Sequence, residues 1–149
     1  VGINALNSGE LDMSCVAARS TAGLVRTLVE FRLCEWGLTR IVGDVRQVAG
    51  ELVANAAEST PGREIRVRFT REPRAVTIAV WDPSDAMPVA QPIVELILDD
   101  LVPDARALEP GHDAGMRGRG LPIVQALSAD CGVTRTDPCG KWVWAKVAF

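Results

Sequence analysis

Glu51 and Asn55 stand four residues apart in Glu51-Leu-Val-Ala-Asn55. On a helix that spacing puts them on one face, with about 5–6 Å between Cβ atoms. An amide oxygen so placed suits Mg²⁺, a hard cation that takes few protein ligands and completes its shell with water and phosphate oxygens. A carboxylate one turn earlier is placed to orient or deprotonate a hydroxyl or a water. Gln47 and Glu58 extend the same polar line, so the pair also fits an ordinary solvated helix face.

Two further clusters carry chemistry. In Trp81-Asp82-Pro83-Ser84 an aspartate closes a strand pattern. There it can accept a hydrogen bond from the exocyclic amine of adenine and reject bases lacking that donor. Asp-Pro equally suits an Asx turn. In Gly115-Met-Arg-Gly118-Arg-Gly120-Leu121 three glycines lead straight into a helix. Glycines allow close backbone approach, and the helix entry offers free N–H groups and positive dipole character to an anion. A phosphate cradle follows. The spacing is GxxGxG with no βαβ unit before it, and no Gly-Lys-Ser/Thr follows, so it is neither a Rossmann fingerprint nor a Walker loop.

The elements that must hold these residues are legible by period. An apolar stripe at Ala18, Ala22, Val25, Val29, Leu33 and Trp36 predicts a helix over 17–36, leaving Arg19, Arg26, Glu30 and Arg32 to water and stopping at Gly37. Thr39 is expected to cap a second helix over 40–58, which carries Glu51 and Asn55. Ile65, Val67 and Phe69, then Val76, Ile78 and Val80, alternate as two strands. Pro92 opens a short helix to about residue 101. The stretch 102–117 reads as a long mobile loop, 120–129 as a third main helix, and 133–135 with 142–149 as a closing hairpin. Residues 1–14 read as flexible or as an edge strand. This order predicts one domain over 1–149, an α/β (α+β) two-layer sandwich. Its sheet would be mixed and mostly antiparallel, with helices covering one face.

Bulk properties narrow the function. With 149 residues, 48% of them hydrophobic, the chain is long enough for one real core. A net charge of −3 and a pI near 5.2 leave no electrostatic footprint for nucleic acid or anionic membrane. No segment reads as a membrane span or signal peptide, and a cytoplasmic location is expected. Cys15, Cys34, Cys131 and Cys139 are scattered, without zinc spacing, and are expected as free thiols. His112 is expected as a surface loop residue, Trp142 and Trp144 as cover on one sheet face, and Lys141 as a solvated turn lysine.

Taken in order, the three motifs resemble the N, G1 and G2 boxes of the GHKL ATPase superfamily. The nearest likeness is to the actinobacterial ATP-binding proteins related to anti-sigma-factor serine kinases. Ala18-Arg19, Trp36-Gly37-Leu38, Ala56 and Gly140-Lys-Trp-Val-Trp-Ala145 add to the resemblance, which covers nearly the whole chain. It implies the GHKL-type ATP-binding fold, with ATP and Mg²⁺ bound between helices and a lid over 102–117. Asn55 would hold Mg²⁺, Asp82 would read adenine, and Glu51 would serve as general base. Gly115, Gly118 and Gly120 would surround the phosphates, and Ser84, Met87 and Leu121 complete the expected ATP contacts; the planar forks of Arg117 and Arg119 suit phosphate oxygens and equally suit solvent or a partner.

Such relatives phosphorylate serine or threonine on a STAS-domain antagonist and sequester a sigma factor, often as homodimers. The reading is therefore a protein-serine/threonine kinase of the anti-sigma-factor type; its alternative is a non-catalytic ATP-sensing interaction module. A histidine-kinase catalytic domain ranks last, because no phospho-acceptor helix accompanies it. Two departures stand out. Ala57-Glu58-Ser59 follows Asn55 where relatives often carry a basic residue or histidine, and Lys141-Trp142 replaces a threonine that often joins the aspartate at adenine.

Overall fold

Period-two alternation builds the sheet. In the computed structural model, residues 2–7, 10–85 and 120–149 are described, with side chains over 10–85 and 122–149. Six strands run β1 (Gly2–Asn7), β2 (Glu10–Val16), β3 (Glu64–Arg71), β4 (Ala75–Asp82), β5 (Asp130–Arg135) and β6 (Lys141–Ala148). Their spatial order is β1-β2-β3-β4-β6-β5. Among the described residues every pairing is antiparallel, so the mostly antiparallel sheet expected is present without the parallel pair that a mixed one would have.

Alternate residues of four strands turn to one face and are buried: Leu11, Met13 and Cys15; Ile65, Val67 and Phe69; Val76, Ile78 and Val80; Val143, Ala145 and Val147. Three helices supply the matching apolar stripes. Val25, Val29 and Leu33 come from α1 (Arg19–Glu35), Val45, Val48, Leu52 and Val53 from α2 (Val42–Ser59), and Val124 from α3 (Gly120–Leu127). All join one apolar cluster between helices and sheet. Removing that surface from water, at roughly 25 cal/mol per Å², is the main force holding the two layers together.

Helix ends follow local chemistry. Gly37 takes φ +72°, and Leu38 N–H returns to Leu33 O at 2.8 Å, closing α1 with a left-handed cap. Thr39 does not cap α2 through its side chain. Residues Thr39–Ile41 form a 3₁₀ turn instead, and α2 begins at Val42. Ile41 is drawn into the core there.

The connections decide what meets what. Only four residues separate the end of α2 at Ser59 from β3 at Glu64, and Arg66 of β3 pairs with Trp81 of β4. The C-terminal turn of α2 therefore lies at the same end of the sheet as Asp82. In the helical layer α2 packs against α1 and α3, and it lies over β4 and β6. Among the described residues, no helix is long and apolar enough to cross a membrane.

Candidate functional site

Asn55 sits four residues before the end of α2, a rise of about 6 Å. Its side of the helix follows from Gly50, which faces α1: a Cβ built there would stand 3.1 Å from Arg26 Nη1. Five residues on, at about 100° per residue, Asn55 is turned roughly 140° away from α1, toward the flank against which α3 packs. Asn55 is half-buried. Thus the asparagine and the tip of β4 lie toward one end of the sheet, and α3, which leads into β5 at the Lys146 end, starts toward that same end.

Glu51 lies further round toward α1. With Arg26 it lines two open grooves between α1 and α2, one of about 450 Å³ and one of about 560 Å³. The larger is otherwise walled mainly by small residues, among them Ala18, Ala22 and Ala54, with Glu58 at its edge. Burial raises the Glu51 pKa above its usual value near 4.5; the Arg26 charge opposes the rise and Glu58 adds to it. A carboxylate whose pKa moves toward neutrality becomes a better proton acceptor at working pH. Arg26 does not lie free in water, as its place on the helical wheel had implied. The missing side chain at Gly50 lets the guanidinium stem lie across α2.

Asp82 ends the inward row Val76, Ile78, Val80 of β4, and Lys141 begins the inward row Val143, Ala145, Val147 of β6. The register sets them directly opposite. Lys141 Nζ donates to Asp82 Oδ1 at 2.9 Å and Oδ2 at 3.1 Å, and to Ser84 O at 3.1 Å. Ser84 N–H donates to Asp82 Oδ1 at 2.9 Å, which closes an Asx turn. Both ionised side chains are 1% exposed. Lys141 is therefore not the solvated turn lysine expected: it is in phase with the core residues of its strand, and the antiparallel register hands it Asp82.

The turn before Lys141 is fixed from several sides. Gly140 has φ +87°, and a Cβ there would meet Asp82 O and the Trp81 ring at 2.6 Å. Gly140 N–H donates to Asp85 Oδ1 at 3.0 Å, and Trp81 Nε1 donates to Thr136 Oγ1 at 2.9 Å. Trp142 lies on the face away from the helices, where the guanidinium of Arg68 stands 4.8 Å from its ring centroid. Its place there is packing of cation on ring.

A family model described as the histidine kinase-like ATPase domain matches residues 16–147. The chain belongs to this family. It is thereby an ATP-binding, kinase-like ATPase domain of GHKL type, and its α+β architecture agrees. No curated protein matches the chain.

Within this family assignment the residues divide three ways. Asn55, Asp82 and Gly120 stand at one end of the sheet and helix layer, with Ser84 bonded into the Asp82 turn. Glu51 stands on the α1 side of the same helix. Met87, Gly115, Arg117, Gly118 and Arg119, together with the short helix read from Pro92, the lid and His112, lie outside the described residues, as does the side chain of Leu121. Among the described residues at this end of the sheet, the position that sequence reasoning misread is Lys141, and its period-two phase with Val143 was the available signal. Among the described residues no cluster of three His, Cys, Asp or Glu could hold a metal. Cys15, Cys34, Cys131 and Cys139 are all free thiols, as expected.

Proposed function

We propose that this ATP-binding domain is a protein-serine/threonine kinase of the anti-sigma-factor type, acting on a STAS-domain antagonist in a partner-switching pathway. The observation that carries the reading is Glu51: a partly buried carboxylate with a raised pKa, one helical turn from Asn55, at an open groove. Asn55 would hold Mg²⁺, which when bound would supply neutralisation of the phosphate charge. Glu51 is the residue that accepts the proton of the incoming serine or threonine hydroxyl. The small-residue wall of the groove leaves room for a polypeptide side chain beside it. Phosphoryl transfer asks mostly for positioning and charge neutralisation, and one helical turn of α2 supplies both groups on one rigid element.

The test is transfer of labelled γ-phosphate from Mg·ATP to a STAS-domain protein. Glu51→Ala is expected to lower the transfer rate about 10²–10⁴-fold while ATP binding stays intact. Equal transfer by wild type and variant would remove Glu51 from the mechanism.

A second reading, a non-catalytic ATP-sensing interaction module, draws on the buried Asp82–Lys141 pair, since a site that holds its own aspartate need not turn over. It expects nucleotide-dependent binding of the STAS protein or the sigma factor with no phosphate transfer.

A further inference from the structure

We propose that Lys141 has taken over the hydrogen-bonding role of the purine base at Asp82, so that the domain holds its nucleotide by the phosphates and scarcely distinguishes bases. The inference rests on the reading of Asp82 as the base end of the nucleotide site. An ionised carboxylate offers about four acceptor positions, and an ammonium group exactly as many donors as it has protons, three. Lys141 Nζ spends all three, on Asp82 Oδ1, Asp82 Oδ2 and Ser84 O. Asp82 accepts a further bond from Ser84 N–H. The pair is buried and charge-balanced, with the three ammonium donors used and one carboxylate acceptor position left.

An adenine amine arriving at Asp82 would find one acceptor position left on a carboxylate that is 1% exposed, and reaching it means moving the ammonium or the Ser84 turn; a lost buried ion pair outweighs one neutral hydrogen bond. A guanine O6 fares no better, because no lysine proton is free to meet it. The backbone does not let the lysine drift: the register sets it opposite Asp82, while the positive φ of Gly140 and the bond from Gly140 N–H to Asp85 pin the residue before it. What the base loses, the phosphates and their cation must supply. In this domain Lys141 is the specificity-determining residue, and its effect is to remove specificity.

Calorimetric titration of the whole chain with Mg·ATP, Mg·GTP and Mg·tripolyphosphate tests this. Wild type is expected to bind all three within about threefold of one another. Lys141→Thr, which empties the position opposite Asp82, is expected to tighten ATP by about tenfold while leaving tripolyphosphate unchanged. Should Lys141→Thr not fold, Lys141→Gln, which keeps a donor without the charge, takes its place, and the wild-type base ratio decides independently. A wild-type preference for ATP over both competitors of about tenfold or more overturns the proposal and leaves the site standing. Failure of every form to bind any of the three ligands overturns the site reading and the proposal with it.

Discussion

At the scale of single residues, two aspartates in this fold teach opposite lessons. Asp12 meets Arg66 and Arg68 at 3.4 Å, with the arginine side chains more than 40% exposed. Pairs screened by water in this way contribute about 0–1 kcal/mol. Asp82 and Lys141 are 1% exposed, and removing one partner strands the other. Asp82→Ala is therefore expected to cost about 3–5 kcal/mol in urea unfolding, against less than about 1 kcal/mol for Asp12→Ala. Similar losses in the two variants would mean the Lys141 ammonium finds water. Glu51 gives a pH signature. Its folded-state pKa is raised, so the folded protein binds the proton more tightly than the unfolded chain. The stability this confers is full below the ordinary value near 4.5 and is lost as pH rises through the raised folded value. Glu51→Gln lacks that loss. Unfolding free energies measured from pH 4 to pH 8 should show the variant gaining on wild type as pH rises, and parallel curves would contradict the raised pKa.

At the scale of elements, the helices and central strands were legible because their periods are strong. The stripe Val25, Val29, Leu33 and the alternations of β3 and β4 each name a buried face. Leu11, Met13 and Cys15 alternate too, but the surrounding Asn, Gly, Glu and Asp masked β2, and β1 offers no long apolar run of its own. Local sequence also cannot place β6 between β4 and β5, since that pairing joins segments some sixty residues apart. Lys141 was misread for this reason. A lysine beside a turn looks solvated until the register sets an aspartate across from it. The tight turn at Gly140 is the element that makes the register possible. Gly140→Ala is expected to destabilise by more than about 1 kcal/mol, through positive φ and the 2.6 Å approach to Asp82 O. A thermal melt unchanged by this substitution would show the turn to be more pliant than its geometry implies.

At the scale of the whole molecule, the fold solves one positioning problem. Antiparallel pairing sets the end of β4 beside the start of β6, and the short link from α2 to β3 brings the last turns of α2 to that side as well. Asn55, the Asp82–Lys141 pair and the start of α3 thereby gather from distant sequence, while Glu51 looks across α2 into the groove beside α1. The motifs themselves were readable from residue types, but whether their side chains were available was not, because availability is a property of the assembled core. The most direct test of the gathering is calorimetric titration of Mg·ATP into wild type and Asn55→Ala, repeated with the metal chelated. Wild type should bind, with affinity falling when the metal is removed. Asn55→Ala should bind at least about tenfold more weakly and no longer respond to the metal. Equal, metal-dependent binding by both proteins would contradict the placement of the cation on α2 and the site built around it.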